Sequence, residues 1–89
     1  MKNITIDCAG IPDKPAFHRA VSQALDFPVW YGGNADALHD CLTDICTDTC
    51  LRFLNWDQLS RILGNASAPL RAAMTHAALE NPHIQIEFE

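Results

Sequence analysis

Apolar and polar residues alternate with a period of two in three short stretches of the chain and recur with helical spacing in four others. Asn3-Ile4-Thr5-Ile6-Asp7-Cys8 puts Ile4, Ile6 and Cys8 on one face before Gly10-Ile11-Pro12 interrupts it, which predicts a strand. Phe17, Ala20, Val21, Ala24 and Leu25 follow at i, i+3, i+4, i+7 and i+8 behind Asp13, a helix-capping residue type. Asp26 to Gly33 has no period and carries three aromatics, a proline and a glycine pair, so it reads as a loop. Asn34 then caps a second helix with Leu38, Cys41, Leu42 and Ile45 on one side and Asp36, Asp40 and Asp44 on another.

Thr49 to Leu54 reads as a second strand, and Asn55 with Gln58 as the capping box of a third helix whose apolar side is Leu59, Ile62 and Leu63. Gly64-Asn65 stops it. A fourth helix follows, capped by Asn65 or Ser67, with Leu70, Ala73, Met74 and Ala77 on one stripe, until Asn81-Pro82 ends it. His83 to Phe88 alternates again and makes a third strand. Two helices between each pair of strands favour parallel pairing through right-handed crossovers. Each strand has one wetter face, so the expected fold is α/β and two-layered: a three-stranded parallel sheet with four helices mainly on one side.

With 89 residues, 48% apolar and 19% charged, the chain is expected to form a single domain over 1–89. It offers no uncharged apolar run of membrane-spanning length, and Met1 to Asp7 lacks the apolar core of an export signal, so the expectation is a cytoplasmic protein without a membrane partner. The charge is segregated. Six acids and one base lie between Asp26 and Asp57 and account for the whole net charge of −5, while the remainder is balanced. That excess disfavours direct binding of nucleic acid, which needs Lys and Arg, and suits a basic partner.

Catalytic signatures are missing. Gly32-Gly33 is followed by Asn34-Ala35 rather than a phosphate-binding Lys and Ser/Thr, and His39 and Cys41 stand on opposite sides of a helix. Cys41, Cys46 and Cys50 have the spacing of neither a zinc ribbon nor a redox pair, so no metal or cofactor is expected. Reduced thiols are the expected state; oxidation could pair two of these three. The ordinary role for His18, His39, His76 and His83 is a surface or half-buried residue. Two features exceed ordinary expectation. Trp30 beside Tyr31 on a Gly-rich loop is how binding surfaces place anchors. The Asp36, Asp40, Asp44 stripe has no interleaved Lys or Arg, so each like-charged i, i+4 pair costs the isolated helix roughly 0.2–0.5 kcal/mol.

The run Phe27-Pro28-Val29-Trp30-Tyr31-Gly32-Gly33-Asn34-Ala35-Asp36-Ala37-Leu38-His39-Asp40-Cys41-Leu42-Thr43 resembles the barstar family of ribonuclease inhibitors, whose signature is an aromatic pair followed by Gly-x-Asn-x-Asp-Ala-Leu-x-Asp-Cys-Leu. The resemblance extends over essentially the whole chain. It implies a barstar-like fold and a cytoplasmic protein, not an enzyme, monomeric when free, that plugs the active site of an extracellular or toxin-borne ribonuclease of the barnase type. Asp40 would then replace a substrate phosphate, Asp36 would be a second charged contact, and Trp30 would stand where the family has a Tyr against the catalytic His. Gly32, Asn34 and Thr43 fall at matching contact or loop-shaping positions, and His39, Asp44 and His76 complete the expected partner-binding set. Gly33 stands for a frequent acid, His39 for a Trp, Ile45 for an aromatic, and Thr75-His76 lies where a partner-facing Glu is expected. Which ribonuclease is bound stays open, as do two alternatives: an immunity protein against a toxin-borne ribonuclease domain, and a non-inhibitory interaction module.

Overall fold

The three alternating stretches form strands β1 (Lys2–Asp7), β2 (Thr49–Leu54) and β3 (Ile84–Phe88), joined by helices α1 (Lys14–Leu25) and α2 (Ala35–Thr43) in the first crossover and α3 (Trp56–Leu63) and α4 (Ser67–Glu80) in the second. The computed structural model describes all residues from Met1 to Glu89. The sheet order is β1-β2-β3, with both pairings parallel. Ile4 lies beside Leu51 and Leu51 beside Ile86; one step on, Ile6, Phe53 and Phe88 form the next row. These rows face the helices. The opposite face is wet: its Thr5, Arg52, Glu87 row carries an Arg52 guanidinium bonded to Glu87 at 3.3 Å and Glu89 at 2.8 Å. One covered and one solvated face make the two layers that the alternation predicts.

The core is a continuous cluster from β1 through every helix to β3, with Phe17, Val21, Leu38, Leu42, Phe53, Leu59, Leu70 and Met74 essentially sealed from water. Its centre is aromatic. Phe53 stacks on Phe88 with centroids 5.6 Å apart, and the Trp56 ring meets Phe88 edge-on at 4.9 Å. Trp56 opens α3 and is buried, a contribution that the stripe of Leu59, Ile62 and Leu63 omits. Ile62, expected inside, is 52% exposed, because the Trp56–Leu59 edge of α3 faces the sheet and turns Ile62 outward.

The helix starts divide into two kinds. Asp13 accepts from the Ala16 N–H and Asn34 from the Ala37 N–H, at 2.9 and 2.8 Å, so the first two expected caps form. The expected Asn55–Gln58 capping box does not. Asn55 adopts a left-handed backbone (φ 59°) and its amide donates instead to Asp7 Oδ1 at 2.8 Å, tying the start of α3 to the end of β1. That bond, with a second from the Ala9 N–H, holds the Asp7 carboxyl below its ordinary pKa. Neither Asn65 nor Ser67 caps α4 by its side chain; a 3-10 turn over Gly64–Ala66 leads directly into the helix, and the Ser67 hydroxyl donates back to the Gly64 carbonyl.

No helix is long and apolar enough to cross a membrane. All four cysteines are free thiols, with Cys8 and Cys41 buried in the apolar interior and Cys46 exposed. Burial pushes the Cys8 thiol up to about 11 and raises that of Cys41, which leaves both protonated and unreactive.

Candidate partner-docking surface

The loop after α1 sorts its aromatics to opposite sides. Asp26 leaves the helix in a left-handed conformation (φ 56°), and a turn closed by the Tyr31 N–H on the Pro28 carbonyl at 3.0 Å folds the segment back. Phe27 and Tyr31, 5.0 Å apart between centroids, pack inward on the core cluster. Val29 and Trp30, at the tip of the turn, point to solvent, and Trp30 remains 71% exposed. The Tyr31 hydroxyl is 2.6 Å from His18 Nδ1 on α1, which pins the loop to the helix. His18 is therefore buried, 5% exposed, and not the surface or half-buried residue that its position suggests; the loop folding over α1 covers it. Gly33 follows at φ 66°, a backbone that favours glycine, whereas Gly32 is exposed in an ordinary conformation.

α2 starts directly at this loop. Asn34 caps it, Asp36 in the first turn is favoured by the helix dipole, and Leu38, Cys41 and Leu42 bury the inner side. The helix ends at Thr43, two residues before the apolar stripe does, so Asp44 is its cap residue and not a member of it. The Asp44 N–H still bonds to the Asp40 carbonyl at 3.2 Å, and Asp36, Asp40 and Asp44 are all exposed. Thr43 spends its hydroxyl proton on the Asp40 carbonyl at 2.9 Å, leaving only its lone pairs for another molecule.

The far end of α2 is held by a residue that periodicity marks only as a helix stop. Asn81, 5% exposed, donates its amide to the carbonyls of Leu42 and Ile45, each at 2.9 Å, and accepts from the His83 N–H at 2.9 Å. It thereby satisfies the Ile45 carbonyl just past the helix and adds a donor to the Leu42 carbonyl, which also accepts the Ile45 N–H at 3.3 Å. A second link runs through His39. His39 Nε2 lies 3.2 Å from Glu80 on α4 and its Nδ1 3.6 Å from the neighbouring Asp40. His76 is exposed four residues before Glu80, hence on the α4 stripe that faces α2. Trp30, Gly32, Asn34 and the three aspartates lie in one stretch of the chain; His39, through Glu80, joins them to α4, while the His76 side chain makes no hydrogen bond or ion pair. Signals for Asn81 and Glu80 were absent from the sequence, because both act across 36 or more positions.

No Lys or Arg compensates the charge of this surface. Arg52 makes the only ion pairs of any Lys or Arg, on the opposite face of the sheet, and no Lys or Arg lies within 4.0 Å of Asp36, Asp40 or Asp44. A rigid helix thus presents a row of carboxylates beside an exposed indole. No three His, Cys, Asp or Glu side chains gather to hold a metal ion. What such a row can do chemically is occupy positions that cationic side chains hold ready for an anion.

Two comparisons bear on this geometry. A stretch of 43 residues is 44% identical to the protein described as "Putative ribonuclease inhibitor YrdF" of Bacillus subtilis (strain 168). The aligned part is 48% of this chain and 47% of that protein, so the match spans about half of each. The sequence profile of the family described as Barstar (barnase inhibitor) matches residues 1–89, the whole chain. With its parallel sheet and its capped acidic helix behind an aromatic loop, the chain belongs to the barstar family.

Proposed function

We propose that this chain inhibits a small basic microbial ribonuclease, seating the Trp30 loop and α2 in the enzyme's active-site cleft. It acts on an enzyme and is not one. Family membership and the description of the Bacillus subtilis relative support the ribonuclease-inhibitor class. The observation that carries the docking mode is the row Asp36, Asp40, Asp44, exposed along α2 and its cap with no Lys or Arg of its own chain within 4.0 Å. Beyond the helix-dipole benefit at Asp36, folding gains little from that row of like charges, whereas a cleft lined with Arg, Lys and His gains a set of counter-ions.

In this reading Asp40, mid-helix, takes the place of a substrate phosphate and Asp36 and Asp44 flank it. Trp30 covers the catalytic His of the enzyme. Gly32, Asn34 and Thr43 shape the contact, and His39 and His76 at the α2–α4 seam adjust which enzyme fits. The partner is an extracellular or toxin-borne ribonuclease of the barnase type, bound in the cytoplasm by a monomeric inhibitor. Titrating the purified chain into barnase and other small basic microbial ribonucleases is the test. Loss of activity at a one-to-one ratio for at least one enzyme is expected; full activity of all of them at micromolar excess would overturn the proposal.

A further inference from the structure

A cavity of about 440 Å³ opens between α1 and the aromatic loop. From the helix it is lined by Lys14, His18, Arg19 and Ser22, and from the loop by Tyr31 and Gly33. Two of the six Lys and Arg residues of a chain carrying −5 thus meet at one cavity, and no acidic residue lines it. Neither cation has a carboxylate within 4.0 Å, although Arg52 pairs with Glu87 and Glu89 on the far face of the sheet.

Behind the cavity wall lies polar capacity that the fold leaves unused. His18 is 5% exposed and its Nε2 has no hydrogen-bond partner, while its Nδ1 faces the Tyr31 hydroxyl at 2.6 Å. Burial and the positive charge of Lys14 disfavour protonation of this imidazole, so it carries a single N–H. If Nδ1 accepts from Tyr31, the unpartnered proton is on Nε2; if Nδ1 donates, the Tyr31 O–H is left free to donate. In either tautomer one donor of the pair is unsatisfied, an arrangement that buried polar groups rarely keep without a ligand or water.

We propose that this cavity binds a small organic phosphate monoester, with Lys14 and Arg19 neutralising the phosphoryl group and the Tyr31 side forming the wall against its organic part. A phosphate monoester carries about −1.5 to −2 charge on three acceptor oxygens, which balances two cations; a carboxylate brings one charge and leaves a cation unmatched. The volume lies within the ~300–1,000 Å³ of small-molecule sites, larger than a bare phosphate requires. This site goes beyond the inhibitor reading and uses neither Asp40 nor the exposed face of Trp30.

The test is a titration of the free chain, followed by amide chemical shifts, with inorganic phosphate, adenosine monophosphate and acetate at constant ionic strength. Saturable shifts at Lys14, Arg19 and Gly33 are expected with the nucleotide, at a dissociation constant of about 1 mM or below. Inorganic phosphate should bind more weakly and acetate not saturate. Lys14→Gln combined with Arg19→Gln should abolish the saturable shifts with the melting temperature unchanged, since both side chains are exposed. Shifts that do not saturate, that persist in the double variant, or that are equally strong with acetate or inorganic phosphate would overturn the assignment. No ribonuclease takes part, so this outcome is separate from that of the inhibition assay.

Discussion

The side-chain amide of Asn81 reaches across 39 positions of sequence to donate to the Leu42 carbonyl at 2.9 Å, and so the end of the acidic helix is fastened to the end of α4. A carboxylate cannot make that donation. Asn81→Asp should strip the Ile45 carbonyl of its partner, leave the Leu42 carbonyl only its 3.3 Å bond from the Ile45 N–H, and bring negative charge to the negative end of α2. The expected loss is about 1–3 kcal/mol or more, each kcal/mol lowering the melting temperature of a chain this size by ~4–8 °C. Thermal unfolding of the variant checks it, and a melting temperature equal to that of the parent would show that water replaces the amide at no cost.

Trp30 and Tyr31 are neighbours with opposite consequences. Trp30→Ala should leave the melting temperature within a few degrees, because the indole is 71% exposed, yet weaken binding to an inhibited ribonuclease. Tyr31→Phe should do the reverse, lowering stability by leaving His18 Nδ1 without its partner. Paired calorimetry and binding curves for the two variants decide it; a Trp30→Ala protein losing the ~3–5 kcal/mol of a buried aromatic truncation would place the indole inside.

Asp40→Ala should be the most damaging single truncation for binding. The carboxylate stands mid-helix, touches no Lys or Arg of its own chain, and its removal would strand cations in a desolvated cleft. Such losses amount to about 2–5 kcal/mol, roughly 30- to 4,000-fold in dissociation rate. Asp57→Ala, on α3, is the comparison and should bind as the parent does. Association with the parent should also slow as salt rises, since exposed charge is screened within about 10 Å at 0.1 M. Equal dissociation rates for the two variants would remove Asp40 from the phosphate-mimic role.

Stability should fall on mild acidification, and His18 supplies the sign. Burial, then Lys14, lower its pKa in the folded state below the ordinary value near 6.5. The unfolded chain therefore binds the proton more readily than the folded one. The His18 contribution is fully present above about pH 6.5 and is lost as pH falls from there through the lowered folded value. Melting temperatures of the parent and of His18→Gln between neutral and mildly acidic pH test this: the parent should drop more steeply. Parallel curves would mean that another group governs the acid limb.

Strand and helix order, the parallel sheet, the wet outer face and the caps at Asp13 and Asn34 were all legible in the sequence, because each follows from a spacing of two or 3.6 or from a side chain bonding three residues along. The exposed aspartates were legible for the same reason: a helix that buries Leu38, Cys41 and Leu42 must turn Asp36 and Asp40 outward. Only the tertiary structure decided which polar residues go inside. His18 is buried because a loop from beyond the helix end covers it, and Asn81 because the end of α2 brings carbonyls to it. Asn55 turns from capping α3 to bonding Asp7, and Ile62 faces water because Trp56 takes the inner edge of α3. The His18, Asn81 and Asn55 outcomes depend on partners from other elements, the Ile62 outcome on which edge of α3 meets the sheet, and a local period carries no record of how whole elements pack.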